Sequence, residues 1–159
     1  KEEKKKLIPI INKVFSKGDF VGGDQIEKFE KNVARLCKTR YAVAFNSGTD
    51  ALTIGLKLLG VNKNDEVITP PNSFISSTTS IWHVGAKPVF VDVLDDQNIN
   101  PSLIKKAITK KTKAIMPVHL TGKVCNMDEI ISICQKCGFT IGIFIPGMEC
   151  PECGELIIP

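Results

Sequence analysis

The sequence lacks the features that mark nucleic-acid-binding, membrane and dinucleotide-binding proteins. Aromatic residues make up only 6% of the chain, and no basic stripe carries them at intervals, which argues against nucleic-acid recognition. No signal peptide and no membrane span are present, because the basic start leads into a short apolar stretch that Pro9 interrupts. We therefore expect a cytoplasmic protein. No Walker or dinucleotide-binding glycine pattern occurs, which disfavours a generic phosphate-binding domain.

What is present is the composition of a globular protein. The chain has 159 residues, of which 43% are hydrophobic and 24% charged, enough for one good core. Its formal net charge of +4 is compatible with anionic small molecules as ligands. Six cysteines in a cytosolic protein would be reduced, which favours core packing, metal binding or chance over disulfides.

Short strand patterns alternate with helix patterns along the chain. The predicted strands are residues 42–45, 65–69, 88–93, 113–118 and 139–145. The predicted helices are residues 2–16, 25–37, 49–59, 72–84, 100–108 and 127–137. This alternation predicts the α/β class, with a mainly parallel sheet covered on both faces as a three-layer αβα sandwich.

The segment from Asn46 to Asp50 joins a predicted strand to a predicted helix in the manner of an anion site. Gly48 lets a ligand approach the backbone closely. Ser47 and Thr49 add hydroxyls and cap the helix, whose first amides have no partner. A phosphate is the expected ligand. An ordinary capped turn has the same pattern, so this segment alone leaves both interpretations open.

Two further loops follow strands and are predicted to reach the same edge of the sheet. Ligands on parallel sheets bind at the carboxyl ends of the strands, where Phe74 and His119 both fall. Phe74 could lay its ring on a planar ligand or serve as a core aromatic. His119 could donate to an anion or a ring oxygen, or act as a structural hydrogen-bonding residue. The convergence of three loops favours a binding site.

Six segments together resemble a known family. They are FVGG at 20–23, AVAFNSGTDAL at 42–52, DEVITPPNSFISST at 65–78, GAKPVFVDV at 85–93, NINPSLIKKAI at 98–108 and KTKAIMPVHLTGKVCNMDEI at 111–130. In order and spacing they resemble the DegT/DnrJ/EryC1/StrS group of pyridoxal-phosphate-dependent sugar aminotransferases. The resemblance implies that residues 1–133 are the amino-terminal part of a fold type I large domain, followed by a divergent, cysteine-containing tail at 134–159.

The resemblance also implies a cofactor, a reaction and an assembly. Gly48, Thr49 and Asp50 would hold the phosphate of pyridoxal 5'-phosphate, Phe74 would stack on its ring, and His119 would lie near it. Members transfer an amino group from glutamate to a keto group on a nucleotide-linked sugar, for polysaccharides or natural-product glycans. Their active sites are shared between two subunits, which implies a homodimer.

The resemblance stops after Cys134, where the family's next strand carries an acidic residue that pairs with the pyridine nitrogen. The corresponding residues 140–145 contain no acid, and no lysine stands in the family's Ser-x-His-x-x-Lys setting. Schiff-base chemistry needs a positioned, desolvated amine. We therefore predict no catalytic residue in this chain and expect it, as a truncated or altered form, not to transaminate.

The tail has a pattern of its own. Cys134, Cys137, Cys150 and Cys153 form two Cys-x-x-Cys-Gly units, which resemble a zinc ribbon. They suggest an alternative function, a non-catalytic αβα module with a zinc-ribbon-like tail. A helix end that happens to carry thiols, followed by a disordered terminus, is the other interpretation.

Overall fold

The computed structural model describes residues 2–18 and 20–137, and the chain divides into two compact units, 1–44 and 45–159. The first unit contains two helices, α1 (Glu2–Lys17) and α2 (Asp24–Leu36). Gly22 and Gly23, which precede α2, have φ angles of 75° and 88°. Such angles favour glycine, so this pair sets the start of α2. The domain boundary predicted at residue 133 stays a prediction.

The second unit alternates helices and strands as the sequence predicts. Its elements are α3 (Gly48–Leu58), β1 (Glu66–Thr69), α4 (Ser76–His83), β2 (Lys87–Phe90), α5 (Pro101–Ala107), β3 (Thr112–Ile115), a 3-10 turn (Leu120–Gly122) and α6 (Met127–Cys137). The strand predicted at 139–145 lies outside the described residues. Among the helices that the structure describes, none is long and apolar enough to cross a membrane.

The three strands form a parallel sheet in the order β2-β1-β3. Successive side chains of a strand point to opposite faces of its sheet, so Val67 and Ile68 of β1 enter different cores. Val67 belongs to a buried cluster with residues of α3 and α4. Ile68 belongs to a second cluster with residues of α5 and α6. Helices therefore cover both faces of the sheet, and the predicted αβα class is confirmed.

Two local predictions are wrong. Residues 42–45 form no strand: Val43 is 66% exposed, and the Ala44 N–H donates to Glu30 Oε1 at 2.8 Å rather than to a neighbouring strand. An apolar run becomes a strand only where a second backbone accepts and donates hydrogen bonds. The position of Trp82 inside the predicted helix 72–84 also suggests that its ring packs in the core. In the structure Trp82 is 63% exposed, because the preceding Ile81 occupies the face of α4 that packs on the sheet.

Candidate functional site

A cavity of about 580 Å³ lies in the second unit, beyond the carboxyl ends of β1 and β3. It is lined by Ser47, Gly48, Thr49, Leu52, Phe74, Ser76, Ser77, Met116, Pro117, Val118 and His119. The structure thus brings together four of the five predicted cofactor-binding residues, Gly48, Thr49, Phe74 and His119. No lysine, arginine or carboxylate is among the described lining residues, so neutral donors must bind any anion here.

The start of α3 presents free amides to this cavity. Ser47 is the N-cap residue: its Oγ accepts a hydrogen bond from the Asp50 N–H at 3.1 Å and donates to Asp50 Oδ2 at 2.7 Å. This reciprocal pair satisfies the cap. The amides of Gly48 and Thr49 have no acceptor among the described residues, as expected for a first helical turn. They are therefore available to an anion.

Asp50 has a different place from the other predicted residues. It does not line the cavity. Its backbone N–H donates a hydrogen bond to the Ser47 hydroxyl oxygen, and its carboxylate accepts one from the same hydroxyl. The structure gives it a capping role. Its predicted contact with a phosphate stays a prediction that this geometry does not support.

Phe74 is an exposed aromatic at the edge of the cavity. Its side chain is 77% exposed, which excludes the core role that the sequence left open. Asn72 holds the loop that carries Phe74, because its Nδ2 donates a hydrogen bond to the Gln97 carbonyl at 3.0 Å. An exposed ring held beside a cavity is placed to stack on a planar ligand.

His119 contributes a buried donor that has no partner among the residues that the structure describes. Its Nδ1 accepts a hydrogen bond from the Cys125 N–H at 3.1 Å, so the proton of the neutral ring lies on Nε2. Nε2 is buried and makes no hydrogen bond within the described part of the chain. Burial lowers the pKa of His119 below its usual 6.5, which keeps the ring neutral. An orphaned buried donor needs an explanation, and an acceptor on a bound ligand would satisfy it.

Asn98 holds the loop that follows His119. Its side chain is 1% exposed; Oδ1 accepts from the Leu120 N–H at 3.3 Å, and Nδ2 donates to the Lys123 carbonyl at 3.2 Å. Asp96 adds an ion pair to Lys123 at 3.2 Å. Nothing in the sequence distinguishes Asn98 from an ordinary loop residue, because the carbonyl and amide of the later loop that its side chain binds are more than twenty residues away.

We expect the stability of the protein to depend on pH through His119. Its pKa is lower in the folded than in the unfolded state, so just below pH 6.5 the unfolded state binds more protons and the free energy of unfolding falls as the pH falls. Urea unfolding at about pH 7.5 and about pH 5.5 measures this loss. The loss should be smaller in His119→Asn, whose amide oxygen can still accept from Cys125. His83→Asn, at the exposed second histidine, is the control, and an equal loss in both variants would contradict the assignment.

The predicted zinc set receives no support. The described residues contain no group of three or more potential ligands that could hold a metal ion. Cys134 is buried, and burial raises the pKa of its thiol to about 11. Cys150 and Cys153 lie outside the described residues.

Comparison with known proteins shows which family the chain belongs to. The model of the DegT/DnrJ/EryC1/StrS aminotransferase family matches residues 1–142. The chain belongs to this family. The resemblance inferred from the six sequence segments is thereby confirmed.

Individual members of the DegT/DnrJ/EryC1/StrS family agree with this result. The spore coat polysaccharide biosynthesis protein SpsC of Bacillus subtilis is 38% identical over 86% of this chain and 36% of its own length. A dTDP-3-amino-3,4,6-trideoxy-alpha-D-glucose transaminase of Streptomyces venezuelae is 39% identical over 82% of this chain and 35% of its own. The structure of NtdA from Bacillus subtilis with the cofactor PMP bound has a TM-score of 0.84 at 38% identity, over 88% of this chain and 32% of NtdA.

This chain therefore spans about a third of the length of these relatives. Membership of the aminotransferase family implies pyridoxal phosphate as the cofactor. The likeness to the NtdA structure agrees with the second unit being a fragment of the αβα fold type I architecture.

Proposed function

We propose that this chain provides the phosphate-binding and ring-binding residues of a pyridoxal-phosphate-dependent aminotransferase that acts on a nucleotide-linked keto sugar, with glutamate as the amino donor. One observation carries the proposal: free helix amides, an exposed aromatic ring and an orphaned imidazole donor line one cavity. The sugar substrate rests on the relatives, one of which is named as a dTDP-sugar transaminase.

Each of these three kinds of group has its own role in binding the cofactor. The amides of Gly48 and Thr49 donate to the phosphate, Phe74 stacks on the pyridine ring, and His119 Nε2 donates to an oxygen of the cofactor. All three contacts are made by neutral groups, so they orient the cofactor without changing its charge. The cofactor, when bound, supplies the electron sink for amino-group transfer.

Gly48 supports the fit of a phosphate at this position. Its φ does not lie in the left-handed region. A Cβ at this position would meet no atom of the described residues within 4 Å beyond its chain neighbours and the backbone of α3. The backbone therefore has no conformational need for glycine here. Open space in front of a helical amide is what the close approach of a phosphate requires.

We also propose that the protein is cytoplasmic and forms a homodimer. The homodimer follows from the family's active sites, which are shared between two subunits. Light scattering after gel filtration measures the subunit number, and a monomeric mass at micromolar concentration would count against the dimer.

No lysine of the sequence stands in the Ser-x-His-x-x-Lys setting. We therefore propose that these 159 residues bind the cofactor without transaminating.

Titration calorimetry with pyridoxamine 5'-phosphate tests the proposed function. We expect saturable binding by the 159-residue chain, and affinity for pyridoxamine without the phosphate lower by about tenfold or more, since hydrogen bonds to a charged group are the stronger ones. Equal affinity for the two compounds would reject the phosphate site. No binding of either would reject the proposed function.

Replacing Phe74 with alanine tests the ring contact. We expect the affinity for pyridoxamine phosphate to fall about threefold to tenfold, as the loss of one aromatic stacking contact predicts. The melting temperature should change little because the ring is exposed. Phe74→Tyr should retain the affinity. Phe90→Ala removes another half-exposed ring that does not line the cavity, and it should bind like the unmodified protein; a Phe74→Ala variant that does the same would exclude stacking.

A further inference from the structure

We propose that Ser76, the first residue of α4, is a further ligand-binding residue of the cavity: its hydroxyl accepts a hydrogen bond from the Thr49 hydroxyl and donates one to the bound anion. The proposal rests on the proposed function, since the anion is taken to be the cofactor phosphate. It extends the binding surface from one helix to two.

Thr49 and Ser76 form a hydroxyl pair. Thr49 Oγ1 and Ser76 Oγ are 2.7 Å apart, and either atom can be the donor. The residues are separated by 27 positions in the chain and open two different helices, α3 and α4. Both line the cavity. The pair therefore lies where the starts of two helices meet the space available to a ligand.

This pair has one proton more than it uses. Two hydroxyls carry two protons, and their mutual hydrogen bond takes one of them. Within the described residues neither hydroxyl has another acceptor. When Thr49 donates within the pair, Ser76 keeps a proton with which it can donate a hydrogen bond to a ligand.

Other hydroxyls on the same helices show why this proton stays free. Thr53 donates to the Thr49 carbonyl at 2.8 Å, and Ser80 donates to the Ser77 carbonyl at 3.1 Å. Both use a carbonyl of the preceding helical turn. Thr49 and Ser76 stand in the first turn of their helices and have no such carbonyl behind them, so they turn to each other and to the cavity.

The charge of the cavity gives this donor its importance. No cationic side chain is among the described lining residues, so an anion must be held by neutral donors. Within the described part of the chain no side chain caps the start of α4, which leaves Ser76 at the positive end of a second helix dipole. The dipole of α4 favours a negative charge near Ser76, just as the dipole of α3 favours one near the amides of Gly48 and Thr49.

Binding measurements on Ser76→Ala test the inference. We expect its affinity for pyridoxamine phosphate to fall about tenfold, as the loss of one hydrogen bond to a charged group predicts, while its affinity for pyridoxamine stays unchanged. Ser76→Thr keeps the hydroxyl and should recover most of the affinity. Ser80→Ala is the matched control, because it removes a hydroxyl one turn later on the same helix, away from the cavity, and its affinity should not change.

Four outcomes separate this inference from the proposed function. If the unmodified chain binds pyridoxamine phosphate and Ser76→Ala binds it equally, the inference is wrong and the function stands. An equal loss in Ser80→Ala would also overturn it, because the effect would belong to the helix. If the chain binds inorganic phosphate in a Ser76-dependent way but not pyridoxamine phosphate, the inference stands and the function fails. If the chain binds neither compound, both fail.

Discussion

Replacing Gly48 with valine is expected to weaken the binding of pyridoxamine phosphate by about a hundredfold or more, as the loss of two hydrogen bonds to a charged group predicts. The valine side chain would occupy the open space in front of the amides of Gly48 and Thr49. Apart from its chain neighbours and the backbone of α3, no atom of the described residues lies within 4 Å of its Cβ, so the fold should remain intact. The expected result is therefore a selective loss of phosphate binding.

Gly48→Ala separates binding from stability still further. Alanine fits the φ of this position, so the free energy of unfolding should rise by about 0.4–1 kcal/mol, because the unfolded chain loses conformational freedom. The affinity for pyridoxamine phosphate should nevertheless fall. Gly60→Ala is the control with the opposite pattern, since Gly60 has a φ of 72° and alanine would be strained there.

Calorimetric titration and thermal unfolding on the same samples measure both effects. Gly60→Ala should lower the melting temperature and leave the affinity unchanged. Normal binding by Gly48→Val would show that no phosphate lies at the start of α3. Loss of folding in Gly48→Val would show that the glycine serves the backbone instead.

Replacing Ile68 with alanine is expected to lower the free energy of unfolding by about 2–5 kcal/mol. Ile68 is fully buried in the central strand β1, where it packs in the cluster that joins the sheet to α5 and α6. Its removal leaves a cavity on that face, which the paired strands on either side of β1 cannot close. Because domains are stable by only about 5–15 kcal/mol, this single change should remove a large part of the stability.

Urea unfolding followed by circular dichroism measures this loss. Ile68→Val removes one methylene group and should cost about 0.5–1.5 kcal/mol. Val89→Ala, at a partly buried position on the edge strand β2, should cost less than Ile68→Ala. A loss in Ile68→Ala no larger than in Val89→Ala would mean that the described packing around β1 is wrong.

The helices of the second unit could be predicted because their signals are local. Asn100 caps α5 by accepting the Ser102 N–H at 3.0 Å, and Pro101 follows as the first helical residue. Ser47 caps α3 in the same way. Such contacts join residues two or three positions apart, so the order of residues is enough to show them. Residues 42–45 have an equally clear strand pattern, but that prediction is wrong. A strand needs backbone hydrogen bonds to a second strand, and a local pattern of residues does not show whether that second strand is present.

The cavity was predictable in part for the same reason. Phe74 and His119 each follow a strand, and parallel strands bring such ends to one edge. Gly48 and Thr49 are expected there because of a strand at 42–45 that does not form, but the start of α3 lines the same cavity. The exposure of Phe74 and the orphaned Nε2 of His119 could not be predicted, since both depend on which side chains surround them.

Residue order alone predicts the alternation of helices and parallel strands and the aminotransferase family, which are both confirmed. It also predicts an anion site at the start of α3, which stays a prediction. These predictions follow from periodicity, capping and the spacing of motifs, which act over short distances along the chain. Only the tertiary structure decided that Ser76 meets Thr49 and that Asn98 holds the loop after His119. Each of these contacts joins residues more than twenty positions apart, and only the packing of the helices on the sheet brings such residues within hydrogen-bonding distance.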